Sequence, residues 1–137
     1  MTRFAKEIAE YLDANSIGVY STTDPTTRTI FTGKLPAGVA EGINIVESAS
    51  PPPHEYIDHE YPVLDFWARS DEPDRAHYLL EQVYNLLHRH LGFSTANWYI
   101  YNSSALGAIV DVDEDREAGK LYRLSVQFIC RNLNNVS

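Results

Sequence analysis

Residues 70–92, SDEPDRAHYLLEQVYNLLHRHLG, constrain the chain most, because their pattern reads as one long amphipathic helix. Ser70 or Asp71 stands where a side chain can cap the open N–H groups of a first turn. Pro73 suits that turn because it has no N–H to lose, and Glu72 and Asp74 complement the positive end of the helix dipole. Gly92 marks the stop. Between these signals Ala76, Leu79, Leu80, Val83, Leu86, Leu87 and Leu91 recur at helical spacing and form a single stripe. Arg75, Glu81, Gln82, Asn85 and Arg89 lie off it, and His88 and His90 stand beside the C-terminal carbonyls. A stripe this wide needs a sheet to cover.

Two segments supply that sheet. Residues 60–69, EYPVLDFWAR, are aromatic and apolar and run into the helix after a very short turn. Residues 121–131 alternate more cleanly: Tyr122, Leu124, Val126, Phe128 and Cys130 fall on one face, and Arg123, Ser125, Gln127 and Arg131 on the other. The expected fold class is therefore α+β. A mostly antiparallel sheet is covered by one long amphipathic helix, with a short N-terminal helix over residues 2–14 and a C-terminal β hairpin.

The 137 residues, 44% hydrophobic, suffice for a single domain spanning 1–137 with a real core. Eleven Lys and Arg against nineteen Asp and Glu leave a formal charge of −8, which argues against a protein that grips nucleic acid through its phosphates. A single cysteine, Cys130, excludes an intrachain disulfide framework and any Cys-rich zinc module, and a reducing compartment is the simplest setting. No apolar run approaches the ~20 residues that span a bilayer, and the first residues alternate charge and apolar groups unlike a signal peptide. The expectation is a soluble protein with no membrane partner.

Elsewhere the chain reads as short pieces. Residues 17–20 and 29–32 flank a polar loop, residues 35–42 form a turn, and residues 43–47 form a strand. The three prolines at 51–53 forbid helix or central strand, so residues 48–59 read as a stiff, exposed connection. Residues 97–101, NWYIY, form an aromatic strand and residues 102–104 a turn. A further strand over residues 106–113 then pairs with the last one across the charged loop 114–120, and residues 132–137 form a tail.

The candidate sites are weak as chemistry. His54, Glu55, Asp58 and His59, next to Glu60, offer metal-ligating groups, and His54-Glu55 opens like a zincin motif. Position 58 is Asp, however, and the segment follows a proline run, whereas that chemistry needs two histidines on one helical face. Asp111, Asp113, Glu114, Asp115 and Glu117 resemble a calcium loop but lack its glycine and its closing glutamate, so a solvated hairpin tip is the better reading. Cys130 sits in mid-strand on the apolar face, and no nucleophile elbow surrounds any serine. His88 and His90, two apart on a helix, point in different directions. No catalytic, cofactor or metal site emerges, and the chain does not read as an enzyme.

The order of elements carries more than any residue. Together with Ala9-Glu10-Tyr11-Leu12 followed by Ile17-Gly18, with the run from Tyr61-Pro62 to Ala68-Arg69, with the helix over 76–87 and with the closing Leu124-Ser125-Val126-Gln127-Phe128, it resembles the small tail terminator or minor capsid proteins of long-tailed bacteriophages. The resemblance covers most of the chain, through patterns of apolar and small residues rather than catalytic signatures.

It implies a structural virion protein assembled in the host cytoplasm. Such a protein forms a homomeric ring, a hexamer, on the head-proximal end of the tail. It stops polymerisation of the major tail tube protein, offers a docking surface to the neck or head-completion protein, and lets DNA pass through the channel without specific binding. No cofactor is implied. The loops at His54, Glu55, Asp58 and His59 and at Asp113, Glu114, Asp115, Arg116 and Glu117 are then candidate assembly contacts. The alternatives are a head-completion protein of the connector, a metal-dependent enzyme using residues 54–59, and a small acidic adaptor.

Overall fold

The last strand is the frame of the molecule. In a computed structural model, residues 2–20, 29–33, 41–48, 59–70, 72–115 and 119–133 are described. Helix α1 (Thr2–Ala14) is followed by β1 (Ile30–Thr32), β2 (Gly42–Ser48), β3 (Val63–Ser70), α2 (Pro73–Leu87), β4 (His90–Ser94), β5 (Trp98–Ala105), β6 (Val110–Asp115) and β7 (Gly119–Asn132). The strands form one seven-stranded sheet in the order β1-β2-β3-β7-β5-β4, with β6 also paired to β7. Every pair is antiparallel except β1 with β2, which is parallel.

β7 is hydrogen-bonded along both edges. On one side it faces β3 from Ser70↔Lys120 to Val63↔Gln127, and a bridge between Glu60 and Cys130 extends that ladder. On the other side β6 and β5 run in line, β6 against its first half and β5 against its second. The alternation of β7 has the consequence it should: Leu124, Val126, Phe128 and Cys130 are fully buried, and Ser125, Gln127 and Ile129 face the other way.

The α+β expectation is overturned. Strands make up 49% of the described residues, the sheet is mixed, and both helices are short, 13 and 15 residues. No long helix covers the sheet, because the segment 70–92 divides into three. Ser70 ends β3, α2 occupies only Pro73–Leu87, and His90 opens β4. Ser70 still helps at the entry, its Oγ accepting the Glu72 N–H at 3.2 Å, but the N-cap position is Glu72 and its side chain makes no cap bond.

At the exit, His88 is extended and Arg89 turns left-handed at φ 56°. The released carbonyls find partners at once: Leu87 O accepts from the buried Ser103 Oγ at 2.7 Å and Tyr84 O from the His88 N–H at 2.8 Å. Leu91, which continues the helical spacing, is 71% exposed on β4, and Phe93 is buried in its place. Residues 102–104, expected as a turn, belong to β5. Most of the expected loop 114–120 is ladder, with Glu114↔Lys120 and Asp115↔Gly119 paired.

Both helices pack on the same face. Ala76, Leu80, Val83 and Leu87 of α2 join Leu64, Phe66, Ala68, Leu124 and Val126, and Phe4, Ile8 and Leu12 of α1 join Ile30, Ile43 and Ile45 in one core. Full burial of each leucine contributes about 1.5–3 kcal/mol, so the stripe matters even on a shortened helix. α1 reaches both ends of the strand order. Ala5 borders Thr32, Ile45 and Val46, while Phe4 meets Trp98 edge-on at 5.2 Å. Glu7, itself buried, accepts from Thr95 Oγ1 (2.6 Å), Asn97 N–H (2.7 Å) and Asn97 Nδ2 (2.9 Å).

Neighbouring residues of one helix meet both ends, so the sheet curls around α1 and leaves a convex face that carries neither α1 nor α2. Gly18 closes the exit of α1, where a Cβ would lie 2.7 Å from Ile30.

Candidate functional site

The convex face is read from the register, since directly opposed residues share a face. Asn44, Trp67, Arg123 and Val110 stand in one row across β2, β3, β7 and β6. Val46, Asp65 and Ser125 form the next, and Val63, Gln127 and Ser104 the one after. Further along, Ile129, Asn102 and Leu91 share a row, followed by Arg131, Tyr99 and Ser94. Asn44 and Val63 are buried on this face, and the β5–β6 part of it is exposed. Of the residues that are large, apolar and exposed, Leu91, Tyr101, Leu106 and Val110 lie on it or at its rim.

Specific contacts fix several of these side chains. Arg123 holds its guanidinium 5.5 Å from the centre of the Trp67 ring, a cation–π arrangement. Ser125 Oγ donates to Asp65 Oδ1 at 2.6 Å. At the other end Tyr101 packs against Tyr99 at 4.9 Å and against His59 at 4.7 Å. Between β5 and β6 the chain bows outward, because residues 106–109 span only Leu124 and Ser125 of β7. The bow leaves a depression of about 280 Å³ lined by Leu106, Gly107, Ala108, Val110, Arg123 and Ser125.

Of the residues proposed from sequence, His59 is half-buried against Tyr101, immediately before the Glu60 bridge. Asp113, Glu114 and Asp115 have their backbone in β6. His54, Glu55, Asp58, Arg116 and Glu117 lie outside the described residues, as does most of the 48–59 connection. Among the described residues no group of three or more His, Cys, Asp and Glu side chains could hold a metal. His88 and His90 are separately engaged, His88 Nδ1 accepting the Ala105 N–H at 3.1 Å and His90 Nε2 paired with Tyr11 Oη at 2.8 Å.

The titratable groups are placed for packing. Cys130 is pushed up to about 12 by burial and secondarily by the Glu60 charge, so its thiol stays protonated and unreactive at neutral pH. Burial also raises Glu60, and raises Tyr11 against the opposing hydrogen bond from Asn15.

Trp67, Leu106, Val110 and Arg123 were not singled out from sequence. The alternation of β7 did put Arg123 opposite the core face, but its neighbours there come from strands far away in the chain. What the arrangement offers is a surface for another protein: aromatic, arginine and aliphatic groups on a rigid sheet, the composition of interface cores.

Comparison with known proteins agrees in kind. The family model described as bacteriophage tail terminator protein matches residues 11–131, most of the chain and all of the sheet up to Arg131. A comparison with curated proteins gave no match. The chain thus belongs to the bacteriophage tail terminator family, structural proteins of the phage tail.

Proposed function

We propose that this protein forms a closed homomeric ring, a hexamer, on the head-proximal end of the tail tube, where it stops addition of tube subunits and presents the surface on which the neck docks. The observation that carries the reading is the family match over residues 11–131, joined to a rigid convex face with exposed apolar groups. A ring subunit needs a heterologous contact, one patch against a different patch, and a head-to-tail contact either closes or runs on as a filament. Closure explains termination. A ring that fits the tube on one face alone adds once and leaves no surface for another tube subunit.

The partners of this reading are other copies of the chain, the major tube protein and a neck or head-completion protein. DNA passes through the channel, and a chain of charge −8 suits passage without adhesion. The whole of 1–137 acts as one domain, and its place is the virion tail. No helix of the described residues is long and apolar enough to cross a membrane. The loops carrying His54, Glu55, Asp58 and His59 and the hairpin tip at Asp113, Glu114, Asp115, Arg116 and Glu117 supply peripheral contacts to the tube or neck.

The test is genetic and visual. Without the gene, tails grow to uncontrolled length and fail to join heads, and image reconstruction of purified normal tails shows one ring of this chain at the head-proximal end. Tails of normal length that still join heads in its absence would sink the reading.

A further inference from the structure

We propose that the depression beside Arg123 is the docking site for the Asp74–Tyr78–Glu81 stripe of helix α2 from a second copy of this chain. The inference rests on the ring reading and names the two surfaces that would build the ring. Four observations lead to it.

First, the depression is open and unfilled by described residues, and its apolar walls stand in solvent, Leu106 at 57% and Val110 at 45% exposure. At about 280 Å³ it has room for a protein side chain. Second, its one charged wall is a cation. Arg123 lies against Trp67 and, among the described residues, meets no carboxylate within ion-pair distance. Its donors are preorganised for an incoming acid.

Third, the matching groups are on the opposite side of the same molecule. Asp74, Tyr78 and Glu81 fall at i, i+4 and i+7 of α2, a single exposed line, with Tyr78 45% exposed between the two carboxylates. Arg75 is shared, its Nε 3.2 Å from Glu41 Oε1 and its guanidinium 5.5 Å from the centre of the Tyr78 ring, and Glu81 Oε1 lies 2.6 Å from His77 Nδ1, so Asp74 is the carboxylate of the line that meets no cation within ion-pair distance among the described residues. Fourth, charge chooses the pairing. The convex face carries Arg123 and Arg131 against Asp65, while the exposed side of α2 carries Glu72, Asp74 and Glu81 against Arg75. Convex face on α2 joins opposite signs, the head-to-tail contact that ring closure needs.

The experiment is a charge exchange in the infecting phage, read by image reconstruction of purified tails and by photocrosslinking from position 78. In the wild type, a photoreactive residue at 78 crosslinks this chain to itself. Arg123→Glu should lose the ring from tails, and so should Asp74→Arg with Glu81→Arg, each protein keeping its unfolding midpoint. Combining all three substitutions should restore the ring. Val110→Asp, at an exposed wall position, should lose the ring in the same way and guards against a folding defect at Arg123.

A ring that persists in Arg123→Glu tails, exchange without restoration, or a crosslink from 78 to the tube or neck protein would overturn this docking while leaving the terminator reading intact. Wild-type tails with no ring of this chain would overturn both.

Discussion

Cys130 shows what a single residue does in this sheet. It sits fully buried on the core face of β7, across from Glu60, where a charged thiolate would be stranded. Iodoacetamide at pH 8 should therefore leave the native chain unlabelled and modify it in step with unfolding by urea. Labelling at equal rates in the presence and absence of urea would contradict the burial. The same shift sets a pH window. The folded-state pKa, about 12, lies above the ordinary value of 9.0, so the thiol contributes its full stability below pH ~9 and loses it as pH rises toward 12. Tyr11, also raised, acts in the same direction. Melting temperatures measured from pH 8 to 11 should fall, and fall less steeply in Cys130→Ala.

At the scale of elements, the end of α2 is the informative place. Arg89 holds a left-handed backbone at φ 56°, which costs a non-glycine residue about 1–2 kcal/mol, while glycine there loses about 0.5–1 kcal/mol of extra chain freedom on folding. Arg89→Gly should thus stabilise the chain by about 0.5–1 kcal/mol in urea denaturation, and a loss of stability would show that the Arg89 side chain holds something the backbone argument omits.

This junction is also where the sequence was least legible. Leu91 follows Leu87 by four residues and so keeps the helical phase, yet it belongs to a strand and points outward. Nothing within HLGFS distinguishes the two. What decides is pairing with β5, together with Ser103, whose hydroxyl donates to the Leu87 carbonyl from sixteen residues further along the chain. The segment 102–104 was misread for the related reason that polar residues signal a turn until a distant carbonyl claims them.

Where the signal was local and long it was reliable. α1 has the expected bounds of 2–14, and β7 carries the alternation at Leu124, Val126, Phe128 and Cys130. The parallel β1–β2 pair had no such signal, being only three residues on the β1 side. The convex face was half legible: Arg123 and Ser125 showed as the polar side of β7, but Trp67, Val110 and the bow at 106–109 join them only through registers between remote segments.

For the whole molecule, β7 governs stability, because β3, β5 and β6 all bond to it and the core is sealed by its inner face. Native-state hydrogen exchange should find the slowest amides at Leu124, Val126 and Phe128, and faster exchange at β1 and β4, the outermost strands of the described sheet. Equal protection across all strands would refute a hierarchy centred on β7. The central strand also comes after all the other described strands in chain order. While a ribosome is still translating residues 119–132, β3 and β5 have no partner between them, and the nascent chain can hold only two separate pieces of sheet, β1-β2-β3 and β4-β5, with the helices in partial contact. A subunit therefore gains its complete convex face only as synthesis reaches the end of β7, and a half-translated chain cannot present it to a partner.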